Sequence, residues 1–121
     1  MEIRLIERNN ILLAVVISED IIISKTQDAL DLMADVQNNG SRKIIIHEKN
    51  IIADFFDLKT KIAGDILQKF VNYQVQLAII GDFSKFTSKS LKDFIYESNK
   101  QGRIFFVNSL EDAEESLVKF N

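Results

Sequence analysis

Residues 54–83 read DFFDLKTKIAGDILQKFVNYQVQLAIIGDF. The stretch joins an aromatic entry, Phe55-Phe56-Asp57, to a segment in which Leu58, Ile62, Ile66, Leu67 and Phe70 recur at helical spacing. An apolar run, Gln76 to Gly81, follows and closes on Gly81-Asp82. A helix feeding a short buried strand is the repeating unit of an α/β sheet. Such sheets hold their ligands at the carboxyl ends of the strands, so polar residues at those ends are the ones to watch.

Working outward, Glu2 to Arg8 alternates, with Ile3 and Leu5 on one face and Arg4 and Ile6 on the other. Asn9-Asn10 is a turn signal and Ile11 to Ile17 a buried strand, so a hairpin opens the fold. Ile21 to Ile23 adds a short extended segment. Ser24 and Gln27 form a capping pattern ahead of Ala29, Leu32, Met33 and Val36, and Gly40 ends that helix. Arg42 to His47 is the next strand, and a loop through Glu48-Lys49-Asn50 leads to the opening stretch. Beyond it, Ser90 and Asp93 suggest a cap for a helix that buries Leu91, Phe94 and Ile95 and closes at Gly102. Arg103 to Val107 is a last strand. Ser109 caps a last helix with Leu110, Ala113, Leu117 and Phe120 inward, its acidic first turn matched to the positive end of the helix dipole. The order is β-β-α-β-α-β-α-β-α: one α/β domain over residues 1–121, with a mixed five-stranded sheet whose later strands are parallel.

Composition narrows the function classes. With 121 residues and 46% apolar content the chain can bury one core unaided. There is no cysteine, which excludes disulfides, thiolate metal sites and cysteine nucleophiles, and fits a cytoplasmic location. The longest apolar run, Ile11 to Ile17, is far short of the roughly 20 residues of a membrane span, so no stable membrane insertion is expected. A net charge of −3 argues against nonspecific nucleic-acid binding.

The runs QDALDLMADV, the opening stretch itself, SKSLKDFIYESNK and IFFV together resemble the bacterial domain of unknown function 4180 family, over almost the whole chain. The family has no established activity, so this resemblance implies no mechanism. Its members often carry a glycine where this chain has Lys61. At fold level the element order, and the tail from QLAIIGD through RIFFV to SLEDAEESL, is similar to STAS and SpoIIAA-like domains. That similarity implies a mostly non-enzymatic domain that binds partner proteins, nucleotides or apolar ligands, in several cases switched by phosphorylation at a helix start. Thr60 stands closest to that place here, without the usual Asp-Ser-Ser/Thr signature.

Several residues carry candidate chemistry. His47, Asp82 and Asn108 end predicted parallel strands, and a His47–Asp82 pair would serve as general base and orienter in a small hydrolase or transferase. No nucleophile elbow accompanies them, and one histidine makes a poor metal site. Phe55 and Phe56 point in different directions, one toward the core and one toward a groove, with Phe83 and Phe86 extending an aromatic rim. Gly64 inside a helix costs about 1 kcal/mol relative to alanine and is expected to permit close helix–sheet packing. The hydroxyl-rich, basic segment Ser84 to Ser90 reads as an anion site or a capped, solvated loop, and Asp28, Asp31 and Asp35 as a solvated acidic stripe.

The expected function is a non-enzymatic regulatory or interaction module without cofactor or metal, binding a protein partner or small apolar ligand through Phe55, Phe56, Asp57, Thr60, Asp82 and Phe83. Asp57 and Asp82 would orient the ligand and Thr60 would be a modification site. The hairpin edge, shielded by little charge beyond Glu2, Arg4, Glu7 and Arg8, leaves room for pairing with a second copy as a homodimer.

Overall fold

Nine regular elements follow the expected order in the computed structural model, which describes residues 1–120: β1 (Glu2–Arg8), β2 (Ile11–Ile17), α1 (Thr26–Asn38), β3 (Lys43–His47), α2 (Ile62–Tyr73), β4 (Gln76–Ile80), α3 (Lys89–Gln101), β5 (Ile104–Val107) and α4 (Leu110–Lys119). The sheet runs β1-β2-β3-β4-β5, with β1 antiparallel to β2 and the rest parallel. Asn9 and Asn10 both take positive φ (54° and 65°), the two-residue turn whose twist matches a hairpin, and Arg8 pairs with Ile11 across it.

Strand alternation splits the core in two. Ala14, Val16, Ile44, Ile46, Leu77, Ile79, Ile104 and Phe106 face α1, α2 and α3, while Leu13, Val15, Ile45, Ala78 and Phe105 face Ala113 and Leu117 of α4. The parallel strands advance in one direction, so right-handed crossovers place their three connecting helices on the same face. Only α4 crosses to the other. Being a single short helix over a broad sheet, α4 buries Ala113 and Leu117 but leaves Leu110 and Phe120 about half exposed, against their expected inward position.

The helix caps differ in detail from the expected ones. Asp28, not Gln27, completes the start of α1: its carboxylate accepts from the Ser24 amide (2.9 Å), the Ser24 hydroxyl (2.8 Å) and the Lys25 amide (3.2 Å). Those bonds, the Ser24 amide foremost, hold its carboxyl below the ordinary aspartate range. Ser88 rather than Ser90 caps α3, accepting from the Leu91 amide, because the helix begins two residues earlier and Asp93 is drawn to Lys89. Ser109 and Gly102 sit where expected, the glycine with φ 78°.

Between β3 and α2 the expected loop is a chain of three 3₁₀ turns, Glu48–Asn50, Ala53–Phe56 and Leu58–Thr60. Leu58 therefore precedes α2 instead of belonging to it. Lys61 ends the last turn with φ 67°, a left-handed conformation that costs an L-residue about 1 kcal/mol and costs glycine nothing. A glycine at this position would take that conformation without strain. Gly64 is a correction. It lies exposed in the first turn of α2, and a Cβ built there meets nothing within 4 Å, so no close packing requires it. Gly64→Ala is expected to raise stability by about 0.5–1 kcal/mol in urea denaturation. A loss instead would reveal a neighbour that the fold does not show.

Candidate functional site

The carboxyl ends of β3, β4 and β5 lie side by side, with His47 paired to Ile80 and Ile80 to Val107. The chain leaving β4 turns to α3 on one face, and the chain leaving β5 turns to α4 on the other. Connections that diverge in this way open a crevice, and in open α/β sheets that crevice is where ligands bind. Here it is a recess of about 430 Å³ lined by Gly81, Asp82, Phe83, Ser84 and Asn108. Asp82 accepts from the Ser84 hydroxyl (2.6 Å) and amide (3.1 Å), and the hydroxyl bond foremost keeps its carboxyl below the usual range. Gly81 is required by close approach: a Cβ there would stand 2.7 Å from Glu48 Oε1 and 2.9 Å from Glu48 Cβ.

On the other side of the Phe83–Lys85 turn lies an apolar groove of about 360 Å³. Ile21, Ile51, Ala53, Phe56 and Phe86 form its walls and floor. Its rim charges are neutralised in pairs, Lys85 with Glu48 at 2.5 Å and Lys49 with Glu19 at 3.0 Å. Phe56 stacks on Phe86 at 5.1 Å between ring centres and packs against Phe83 at 6.0 Å, so floor and crevice share one aromatic wall. Asn50 holds the opposite wall. Its side chain is fully buried and donates to the carbonyls of Ser18 and Asp20, both at 2.9 Å, while the backbone carbonyl of Asn50 accepts from the amides of Ile22 and Ile23. Ile23 then bridges Ile51 in parallel.

The structure divides the residues singled out from sequence. Asp82, Phe83 and Asn108 meet in the crevice, and Phe56 and Phe86 meet in the groove. Phe55 does neither: at 1% exposure it is core, set edge-on to Phe56 at 5.0 Å, and offers no surface for contact. Asp57 lines neither recess and caps the turn after it, accepting from the Lys59 amide. The Thr60 hydroxyl lies 2.8 Å from the carbonyls of Asp54 and Asp57, sharing its proton between them, and accepts from the Ile62 amide. His47 forms no ion pair with Asp82, whose carboxylate is engaged by Ser84, and it lines neither recess. In the Ser84–Ser90 segment both lysines are matched, Lys85 by Glu48 and Lys89 by Asp93, which leaves no free positive charge for an anion. Glu48, Asn50, Ile21 and Ile51 went unmarked in the sequence because nothing in their spacing separates them from ordinary turn and core residues.

Among the described residues no three His, Cys, Asp or Glu side chains gather as a metal site, and no helix is long and apolar enough to cross a membrane. The fold and its carboxyl edge define an α/β protein with a mixed five-stranded sheet, an apolar groove and an adjoining polar crevice. The chain belongs to the family described as Domain of unknown function (DUF4180), whose model matches residues 8–117. No curated protein and no solved structure matches it, so the similarity to STAS domains has no structural neighbour behind it.

Proposed function

We propose that this chain is a non-enzymatic binding module that takes an apolar group, from a protein partner or a small ligand, into the groove floored by Phe56 and Phe86. The observation that carries the reading is the groove itself: five apolar side chains, with every rim charge already paired, beside the crevice made by the diverging connections of β4 and β5. An apolar occupant gains from burial there without breaking an ion pair or stranding a charge. Asp82 and Asn108, next door, supply polar groups that fix its orientation.

Titration with the neutral dye Nile red tests this reading. The folded protein is expected to bind it saturably, and Ile21→Glu, at an exposed position on the wall, is expected to weaken binding about tenfold while leaving the melting temperature unchanged. Binding that is absent, or indifferent to Ile21→Glu, would sink the proposal.

A further inference from the structure

At the opposite, amino edge of the sheet lies a recess of about 430 Å³ lined by Arg42, Lys43, Gln74, Gln76, Gln101, Gly102, Arg103 and Phe120. Three cations and three amides meet there with no carboxylate in the lining among the described residues, on a chain whose net charge is −3. Lys43 is only 8% exposed. Its ammonium donates to Gln76 Oε1 and to the Leu117 carbonyl (2.8 Å), and no carboxylate pairs with it, with Arg42 or with Arg103 among the described residues. Burial, reinforced by the positive charge of Arg103, disfavours the charged form of Lys43.

Part of this positive charge answers the carbonyl ends of the helices. Arg42 donates to the Tyr73 carbonyl at the end of α2 (3.1 Å) and Arg103 to the nearby Val75 carbonyl (3.3 Å). Gln76 donates to the carbonyls of Gly102 (2.8 Å) and Phe120 (3.0 Å), after α3 and α4. Each helix end carries about half a negative charge, so three of them offset roughly half of three full positive charges. Among the described residues a surplus of about one to two positive charges remains, over a recess larger than a bare ion needs. The backbone anchors also hold each guanidinium in place while leaving its other N–H groups to donate, the geometry suited to a bidentate oxyanion.

We propose that this recess is a binding site for a phosphoryl group, contacted by Arg42 and Arg103 and backed by the buried Lys43 and Gln76, as carried by a small phosphorylated molecule. The site is independent of the apolar groove at the other edge. Inorganic phosphate titrated into the ¹⁵N-labelled protein in a low-salt, phosphate-free buffer is the test. Saturable, single-site shifts are expected at Gly102, Arg103 and Gln76, with acetate binding at least tenfold more weakly. Arg42→Ala and Arg103→Ala, both outside the core, are expected to weaken phosphate about tenfold each, the loss of one charge-assisted contact. Lys89→Ala, on an exposed lysine already paired with Asp93, is expected to leave it unchanged. Shifts that do not saturate, that move equally with acetate, or that survive both arginine variants overturn the assignment.

Discussion

Phe55→Ala is expected to lower the unfolding free energy by about 3–5 kcal/mol, the cost of deleting a core aromatic ring that its surroundings cannot refill. The ring is almost wholly buried and lies within 5.0 Å of Phe56 and 6.4 Å of Phe106, centre to centre. It therefore pins the second 3₁₀ turn to the face of β5. Phe106 in turn meets Phe83 at 5.3 Å and Phe94 at 6.2 Å, edge to face, so the cavity opens at the centre of an aromatic cluster that joins α3 to the carboxyl edge. Urea denaturation of the purified variant measures the change. A loss under 1 kcal/mol would mean that Phe55 is dispensable packing and would reopen it as a contact residue. Because Phe55 lies directly beneath Phe56, the variant is also expected to lower Nile red affinity, an indirect effect that Ile21→Glu avoids.

Asn50→Asp carries the second large expected effect. The wild-type amide donates to two buried carbonyls, those of Ser18 and Asp20, and its Oδ1 accepts from the His47 amide at 3.3 Å. A carboxylate keeps the acceptor but turns the donor into a second oxygen facing both carbonyls. Two carbonyls losing their donor cost about 1–3 kcal/mol each, so a loss of about 3–4 kcal/mol is expected at neutral pH. The new carboxyl, buried and surrounded by acceptors, has its folded pKa raised above the unfolded value near 3.9. Between those two values the folded state binds more protons than the unfolded one, so the variant regains stability as the pH falls. The protonated acid restores one donor. Denaturation midpoints at neutral pH and near pH 4 check both parts. A deficit that stays constant across that range would show that the amide is not the linchpin of the 18–23 segment.

The order of the elements was legible in the sequence because short apolar runs such as Ile44 to Ile46 and Leu77 to Ile80 are too brief for helices and stand between turn signals and helical repeats. Turn chemistry was equally plain at Asn9-Asn10 and Gly102, where the backbone takes positive φ. The segment from 48 to 60 was not legible. Its 3₁₀ turns have no periodicity of their own and are held by Asn50 and Phe55, whose roles depend on partners about 30 and 50 residues away in the chain. Half of the candidate site suffered the same way. Residues at strand ends were visible, but Phe56 and Phe55 could not be ranked without knowing which ring the core takes. The amino-edge recess was wholly hidden, since residues 42, 43, 76 and 103 become neighbours only through the register of β3, β4 and the start of β5.

The far side of β5 bears on how copies of this chain can associate. Asn99 of α3 reaches the outer margin of that strand, its Oδ1 accepting from the Phe106 amide at 2.7 Å and its Nδ2 donating to the Phe106 carbonyl at 3.4 Å. Ser98 donates to the Ile104 carbonyl at 2.6 Å. Two side chains thus stand in for the backbone of an absent sixth strand. The sheet has one sealed margin and one open margin, β1. Of the two margins, β1 is the one whose outward backbone groups are left for another strand to meet. Were two copies to pair through β1, their covered β5 margins would lie outermost, and those margins offer an incoming strand few free backbone groups.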